Sequence, residues 1–233
     1  HGLTRLFVDT AEHYVDWIIN ATGNKQAEQL INIILDCSRH PEPEVSTYVC
    51  TFWDKLFYPF ICMAKEFRRK YPDIRETYDE FPRPWPDWAK PYVSSQPQGL
   101  IPTIIPNIVD SAKLPMEYED LDRDEQEDAT RLRWQLSDSV MDICKIIGLK
   151  SVLSILSNLL QPFCSNERQQ LNGSIHHYNN YNWSEQELRN VYKCEAILFC
   201  VQSAYRCDSI DKADTEHPLN RIFQQLSFLP LHV

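Results

Sequence analysis

The sequence predicts an all-α protein. Apolar residues recur at the three- and four-residue spacing of helix faces along most of the chain, and no alternating pattern of useful length indicates a strand. The 233 residues include only 5 glycines, which leaves little material for tight hairpins or glycine-rich phosphate-binding loops. Hydrophobic residues make up 43% of the chain, enough to build a core. We therefore expect helices that pack on helices.

Two helices are expected at the start of the chain. One face of the first helix is indicated by the spacing of Leu3, Phe7, Thr10, Tyr14 and Trp17. Gly23 follows where this helix should stop. The spacing continues in Ala27, Leu30, Ile34 and Cys37. Because the connection between the two helices is short, they are expected to pack antiparallel.

The third helix carries the clearest stripe in the sequence. Its buried face is predicted to consist of Val45, Tyr48, Val49, Phe52, Trp53 and Leu56. The pattern runs on towards Phe67, with a kink expected at Pro59, where the backbone loses a hydrogen-bond donor. Lys65, Arg68, Arg69 and Lys70 form a basic end that suits a helix C-terminus.

Two long loops are expected between the helices. Residues 72–98 contain six prolines, a composition that sustains neither a helix nor a central strand. Trp85 and Trp88 indicate that this loop packs down on the surface. A short helix over residues 99–112 follows, with a bend expected at Pro106. Residues 163–182 are polar and form the second loop.

Four further helices are predicted in the second half of the chain, and the last of them is short. A long helix with Leu132, Leu136, Val140, Ile143 and Ile147 ends at Gly148, and another with Val152, Leu153, Leu156, Leu159 and Leu160 follows directly. Ser184 and Glu187 form a predicted capping box, with a staple from Trp183 to Leu188. The stripe of that helix is predicted to be Leu188, Val191, Cys194, Leu198 and Val201. A short helix over residues 216–227 closes the sequence.

These helices come in pairs, and the pairs predict the architecture. Strong helix starts near residues 3, 44, 122 and 184 head pairs of helices, and where no long loop intervenes the unit is about 40 residues, the size of a HEAT-type repeat. We expect residues 1–233 to form a single segment of α-α superhelix, a HEAT/armadillo-like solenoid of about four antiparallel helix pairs with two long loops. A single helical bundle is the alternative.

Charge and composition narrow the functional classes. The formal net charge is -10, so the average field repels nucleic acid and anionic membranes and attracts basic proteins. No apolar run approaches the roughly 20 residues that span a bilayer. The eight cysteines lie mostly within apolar helical patterns, which favours reduced, buried thiols. Neither Cys37 with His40 nor His176 with His177 supplies enough ligands for zinc, and the sequence contains no catalytic or cofactor motif. We expect no metal, no cofactor and no catalysis.

One acidic run is a candidate partner-binding site. Its candidate contact residues are Glu117, Glu119, Asp120, Asp122 and Asp124, and acidic residues continue to Asp128. Such a run could grip a basic partner. It is also typical of a solvated helix start, with Asp122 as the N-cap and Glu125 completing a capping box. Both interpretations can hold together, because an exposed cap still attracts cations.

Several segments resemble the importin-β superfamily, specifically its transportin-SR branch. The resemblance begins with Ile34-Leu35-Asp36-Cys37-Ser38-Arg39-His40-Pro41 and runs through Glu44-Val45-Ser46 to Phe52-Trp53-Asp54-Lys55-Leu56. It continues in order with Leu136-Ser137-Asp138-Ser139-Val140-Met141-Asp142-Ile143, then Trp183 with Glu195-Ala196-Ile197-Leu198-Phe199, and finally Leu226-Ser227-Phe228-Leu229-Pro230. Each segment is a helix-packing pattern, and together they cover most of the chain.

The resemblance implies a nuclear transport receptor. Members of this branch shuttle between cytoplasm and nucleus, bind the GTP form of Ran, and carry protein cargo, including proteins with arginine/serine-rich segments, past nuclear pore proteins. The resemblance places this segment in the middle of such a receptor, outside most of the family's Ran-binding repeats and cargo helices. A helical-repeat scaffold unrelated to transport is the alternative function, and a helical enzyme is a distant third.

Overall fold

The computed structural model describes residues 2–20, 24–40, 42–70, 85–93, 99–115, 118–165, 184–207 and 218–226. Within these ranges the helices are α1 (Gly2–His13), α2 (Val15–Asn20), α3 (Lys25–Ser38), α4 (Pro43–Lys70), α5 (Lys90–Val93), α6 (Leu100–Ser111), α7 (Arg123–Ile147), α8 (Leu149–Ser165), α9 (Glu185–Tyr205) and α10 (Pro218–Leu226). A turn of 3-10 helix covers Tyr118–Asp120. The described chain contains no strand.

The helices stack in two layers. In the first layer α1 packs on α4, α4 on α7, and α7 on α9. In the second layer α3 packs on α6, α6 on α8, and α8 on α10. Members of the two layers alternate along the chain, so the molecule is a stack of helix pairs. The predicted all-α, HEAT-like solenoid is confirmed.

Helix α4 forms the centre of the first layer. Phe52, Trp53, Leu56 and Phe57 are buried, and the Trp53 and Phe57 rings stack with centroids 6.3 Å apart. The predicted stripe is therefore the buried face, although Tyr48 remains 37% exposed. The helix continues through Pro59 to Lys70, beyond the predicted Phe67. One long apolar face thus contacts α1, α3 and α7.

The prediction for the first helix is wrong about which residues pack inside. Leu3 is 72% exposed, whereas Val8 and Ala11 are buried. A turn at Tyr14 separates α1 from α2, which buries Ile18 and Ile19. Apolar residues occupy two adjacent faces of α1, and spacing alone does not tell which face meets a neighbour.

Helix α9 departs from its predicted stripe for a different reason. The five predicted residues are only partly buried, and the residues in full contact are Ala196, Ile197, Cys200, Ser203 and Ala204. Most of these side chains are small, so neighbouring helices approach closely along this face. A pattern that counts large apolar residues overlooks such a contact.

The two predicted loops are only partly described. Within residues 72–98 the structure describes residues 85–93, where α5 forms one helical turn that the sequence did not predict. Trp88 packs its ring 5.6 Å from that of Phe60, and the Tyr92 hydroxyl donates to the Ile18 carbonyl at 2.7 Å. Helix α8 extends to Ser165, past the predicted loop start at residue 163. Residues 71–84, 94–98 and 166–183, including Trp183 of the predicted staple, lie outside the described residues.

None of the described helices combines the length and apolar composition that a bilayer crossing needs. All eight cysteines fall within the described ranges and are free thiols.

Candidate protein-binding surface

The acidic run meets the rest of the fold at the start of α7. Asp122 has an extended backbone, and its Oδ1 accepts from the Glu125 N–H at 2.9 Å. Glu125 Oε2 in turn accepts from the Asp122 N–H at 3.2 Å. The predicted capping box is present, so two of the unpaired donors at this helix start are satisfied. The helix start is therefore fixed in position by its own acidic residues.

Four of the five predicted contact residues lie together here. Glu119 and Asp120 are exposed on the 3-10 turn, and Asp122 and Asp124 are exposed at the start of α7. Glu117 lies outside the described residues. The negative charge of the next helical turn is partly neutralised, because Arg123 Nε lies 2.9 Å from Glu127 Oε1. The acidic end of α7, residues 119–124, is thus a solvent-facing patch of negative charge.

A shallow groove of about 530 Å³ runs along α7 beside this patch. It contains Tyr118 and Trp134, and Trp134 is 67% exposed. The Tyr118 hydroxyl lies 3.2 Å from the Thr130 hydroxyl across the groove. The sequence analysis missed Trp134, although a tryptophan two residues from both Leu132 and Leu136 lies on the side of the helix away from the apolar stripe, where it is expected to be exposed.

A second group of carboxylates faces solvent on the first layer. Partial burial raises the pKa of Asp54 to about 6, and the nearby carboxylates of Asp142 and Asp138 add to the rise. Glu12 contributes in the same direction. Because these residues come from α1, α4 and α7, no segment of the sequence shows them as a group.

Glu12 itself belongs to a local network. The Thr51 hydroxyl donates to Glu12 Oε1 at 2.6 Å, and Lys55 Nζ donates to Glu12 Oε2. Partial burial alone would raise the pKa of Glu12, but the hydrogen bonds from Lys55 and Thr51 lower it overall. This network ties α1 to α4.

A pocket of about 400 Å³ lies where α3 and α6 end and α4 and α7 begin. Basic side chains dominate its polar lining: Arg39, His40, Lys113 and Arg133, against the single carboxylate of Asp110. Arg133 is also held from behind by Glu195, whose Oε1 lies 2.6 Å from Arg133 Nη2. The guanidinium sits 4.3 Å from the centre of the Phe199 ring. Sequence reasoning did not find this pocket, because its residues come from four helix ends.

Two of the buried cysteines, Cys50 and Cys200, are poorly suited to nucleophilic chemistry. Burial raises the pKa of Cys50 to about 12, and burial likewise raises the pKa of Cys200 to about 12. Both therefore remain protonated at neutral pH. Within the described ranges, no group of three or more His, Cys, Asp or Glu side chains is placed to hold a metal ion.

Comparison with known proteins relates the start of the chain to one family. Residues 1–78, which include α1 to α4, match the family described as the Transportin-3/Importin-13 second TPR domain. This part of the chain therefore resembles a domain of that transportin and importin family.

A curated relative extends the likeness along the chain. Transportin MOS14 of Arabidopsis thaliana is 23% identical over 226 residues, which cover 97% of this chain. The chain spans 20% of the length of that relative. No solved structure matches the chain. The likeness to transportins thus rests on sequence, and the two-layer helix stack is compatible with it.

Proposed function

We propose that this chain is a cargo-binding segment of a nuclear transport receptor that responds to Ran in its GTP form and catalyses no reaction. The observation that carries the proposal is the match of residues 1–78 to a transportin-family domain. The stacked helix pairs support it, because a solenoid offers an extended surface to a protein partner. Such a receptor moves between cytoplasm and nucleus and contacts nuclear pore proteins on the way.

Regulation in this proposal is a matter of linkage. Each helix pair of a solenoid contacts mainly its neighbours, so small rotations between pairs add up to a change in curvature. A ligand that prefers one curvature weakens a ligand that prefers another. Binding of Ran-GTP elsewhere on the receptor therefore releases cargo held here.

The acidic end of α7 is the proposed contact for basic cargo. Glu119, Asp120 and Asp124 are exposed, and the whole chain carries a net charge of -10. An arginine/serine-rich segment presents several guanidinium groups, which pair well with carboxylates. Long-range attraction of this kind speeds encounter and selects the sign of the partner's charge.

A titration of the intact protein tests the function as a whole. Ran loaded with GTP, and then Ran loaded with GDP, is added in the presence and absence of a labelled arginine/serine-rich peptide. We expect tight binding only to the GTP form, with displacement of the peptide. Equal binding to both forms, or none, would refute the transport proposal and leave a helical-repeat scaffold with other partners.

Paired charge variants test the proposed contact. The triple variant E119Q/D120N/D124N removes three exposed charges while keeping the Asp122 cap. We expect peptide affinity to fall about five- to tenfold at low salt, and less at high salt, since exposed charges are screened. The control D9N/D16N/E28Q removes three exposed acids from α1, α2 and α3. Equal loss in both triples would mean that net charge, rather than the acidic end of α7, attracts the peptide.

A further inference from the structure

The pocket between the ends of α3 and α6 and the starts of α4 and α7 has a charge opposite to that of the protein. Arg39, Lys113 and Arg133 line it together with His40, whereas Asp110 is the only carboxylate among the described residues of the lining. The chain as a whole carries -10. A concentration of cations within about 400 Å³ therefore stands apart from the surrounding surface.

The carboxylates that pair with two of these cations lie outside the pocket. Arg39 Nη1 is 3.6 Å from Asp36 Oδ1, and Arg133 Nη2 is 2.6 Å from Glu195 Oε1. Neither carboxylate lines the pocket. Both carboxylates therefore contact their guanidinium groups from outside the pocket, and the guanidinium groups line the pocket itself.

Asp110, the carboxylate that does line the pocket, is shared by two lysines. Its Oδ1 lies 3.4 Å from Lys113 Nζ and 3.2 Å from Lys193 Nζ. One negative charge between two positive ones leaves a surplus of positive charge. The pocket therefore remains cationic after the ion pairs of Arg39, Lys113 and Arg133 are counted.

Arg133 is prepared to donate hydrogen bonds. Its side chain is 14% exposed, and the bond to Glu195 uses one of the five N–H donors of a guanidinium. Contact with the Phe199 ring fixes the guanidinium plane. In such a partly desolvated place a charge-assisted hydrogen bond is stronger than at the open surface.

His40 adds a donor in its neutral form. The ring Nδ1 accepts from the Glu42 N–H at 3.2 Å, so a neutral ring carries its proton on Nε2. The lining also contains the apolar side chains of Leu114, Pro115 and Leu132. The pocket thus combines hydrogen-bond donors with aliphatic surface.

We propose that this pocket binds an anionic side chain of a protein partner, with its oxygens on Arg39, Lys113 and Arg133 and its apolar stem on Leu114 and Leu132. The anionic group is a carboxylate or a phosphate. A nucleotide fits less well, because among the described residues no Phe, Tyr or Trp lines the pocket to stack a base. The site uses other residues than the acidic end of α7, and it can be tested without Ran.

Two small probes on the intact protein test the proposal: phenyl phosphate and phenylacetate, titrated by calorimetry at low salt. We expect saturable binding in the millimolar range. The variants Lys113→Gln and Arg39→Gln should each weaken binding about fivefold, which corresponds to about 1 kcal/mol. Phenyl phosphate bound at least about tenfold more tightly than phenylacetate indicates a phosphorylated partner side chain, and similar affinities indicate Asp or Glu.

Matched controls separate a pocket from general surface charge. Lys90→Gln and Arg5→Gln remove the same charges from exposed positions away from the pocket, and should leave probe binding unchanged. Thermal midpoints of all four variants establish that they are folded. No saturable binding by the wild-type protein, or equal weakening by the pocket variants and the controls, would overturn the proposal.

Discussion

At the scale of single residues, Arg133 of α7 contacts both helix α9 and the basic pocket. Its guanidinium lies against Phe199 of α9 and pairs with Glu195 one turn earlier on the same helix. It also lines the basic pocket, next to Leu132. One arginine therefore contributes both to the packing of α7 on α9 and to the proposed anion site.

Replacing Arg133 by methionine should destabilise the protein by about 2 kcal/mol, because Glu195 loses its partner in a partly buried place. Glu195 Oε2 is buried without a hydrogen bond in the described structure, although the Glu195 side chain as a whole is 44% exposed, so water offsets only part of the loss. The measurement is urea unfolding. The double variant R133M/E195Q removes the lone charge and should recover part of the loss. No recovery would mean that the arginine acts through its packing on Phe199 alone.

Asp54 should make stability depend on pH. Its pKa is raised to about 6, above that of an unfolded aspartate, so the folded protein binds the proton more readily. The unfavourable contribution is then largest at neutral pH and fades as the pH falls through 6 towards 4. Asp54→Asn should raise the melting temperature at pH 7 by a few degrees and have little effect near pH 4. Asp9→Asn serves as the control for losing one exposed acid, and a benefit that is equal at both pH values would contradict the prediction.

At the scale of helices, the caps decide where α7 and α9 begin. Ser184 accepts from the Glu187 N–H at 3.3 Å, and Glu187 Oε2 accepts from the Ser184 N–H at 2.7 Å. The Ser184 hydroxyl also donates to Glu187 Oε2 at 2.7 Å, and this bond, together with the one from the Ser184 N–H, lowers the pKa of Glu187. Asp122 and Glu125 repeat the arrangement at α7. In both helices the start is therefore set by hydrogen bonds among four consecutive residues.

Asp122→Ala should therefore cost about 1 kcal/mol of stability, the usual cost of a lost N-cap. Asp124→Ala removes the same charge from the same helix turn without removing the cap, and should cost only a few tenths of that. Chemical denaturation of the two variants side by side measures the difference. Equal losses would show that the charge near the helix end, and not the Asp122 hydrogen bond, stabilises α7.

These helix starts were predictable because a capping box needs only four consecutive residues. The buried face of α4 was predictable for a similar reason, since large apolar residues repeat at a fixed spacing. The face of α1 was not, because the choice between two apolar faces depends on α3 and α4. The basic pocket and the carboxylates around Asp54 were also out of reach, since residues from several helices meet there only after folding. The acidic end of α7 was visible as a run of charge, but the sequence did not show the aromatic groove beside it.

At the scale of the whole molecule, the stack has a central block and more lightly packed ends. Helix α7 packs on α4, α6, α8 and α9, whereas α10 packs chiefly on α8. The short helix α6 also reaches α9, two elements further along the chain than its neighbour α7. A solenoid with contacts only between successive pairs would lack this connection.

Hydrogen exchange should reveal this difference. We expect the amides of α7 to exchange most slowly and those of α10 much faster, because local opening costs less where fewer neighbours pack. Mass spectrometry of peptides from each helix, normalised for their intrinsic rates, measures the order. Uniform protection from α1 to α10 would mean that the described stack opens as one cooperative unit.

The contact between α6 and α9 has a mechanical meaning. Asp110 on α6 holds Lys193 on α9 at 3.2 Å, while Glu195 on α9 holds Arg133 on α7. These bonds act as a cross-brace over three successive helix pairs. We expect the section of the solenoid that these ion pairs connect to be stiffer than the helix pairs on either side of it. A partner bound near α7 would then contact a section that keeps its shape while the neighbouring helix pairs change the curvature of the superhelix.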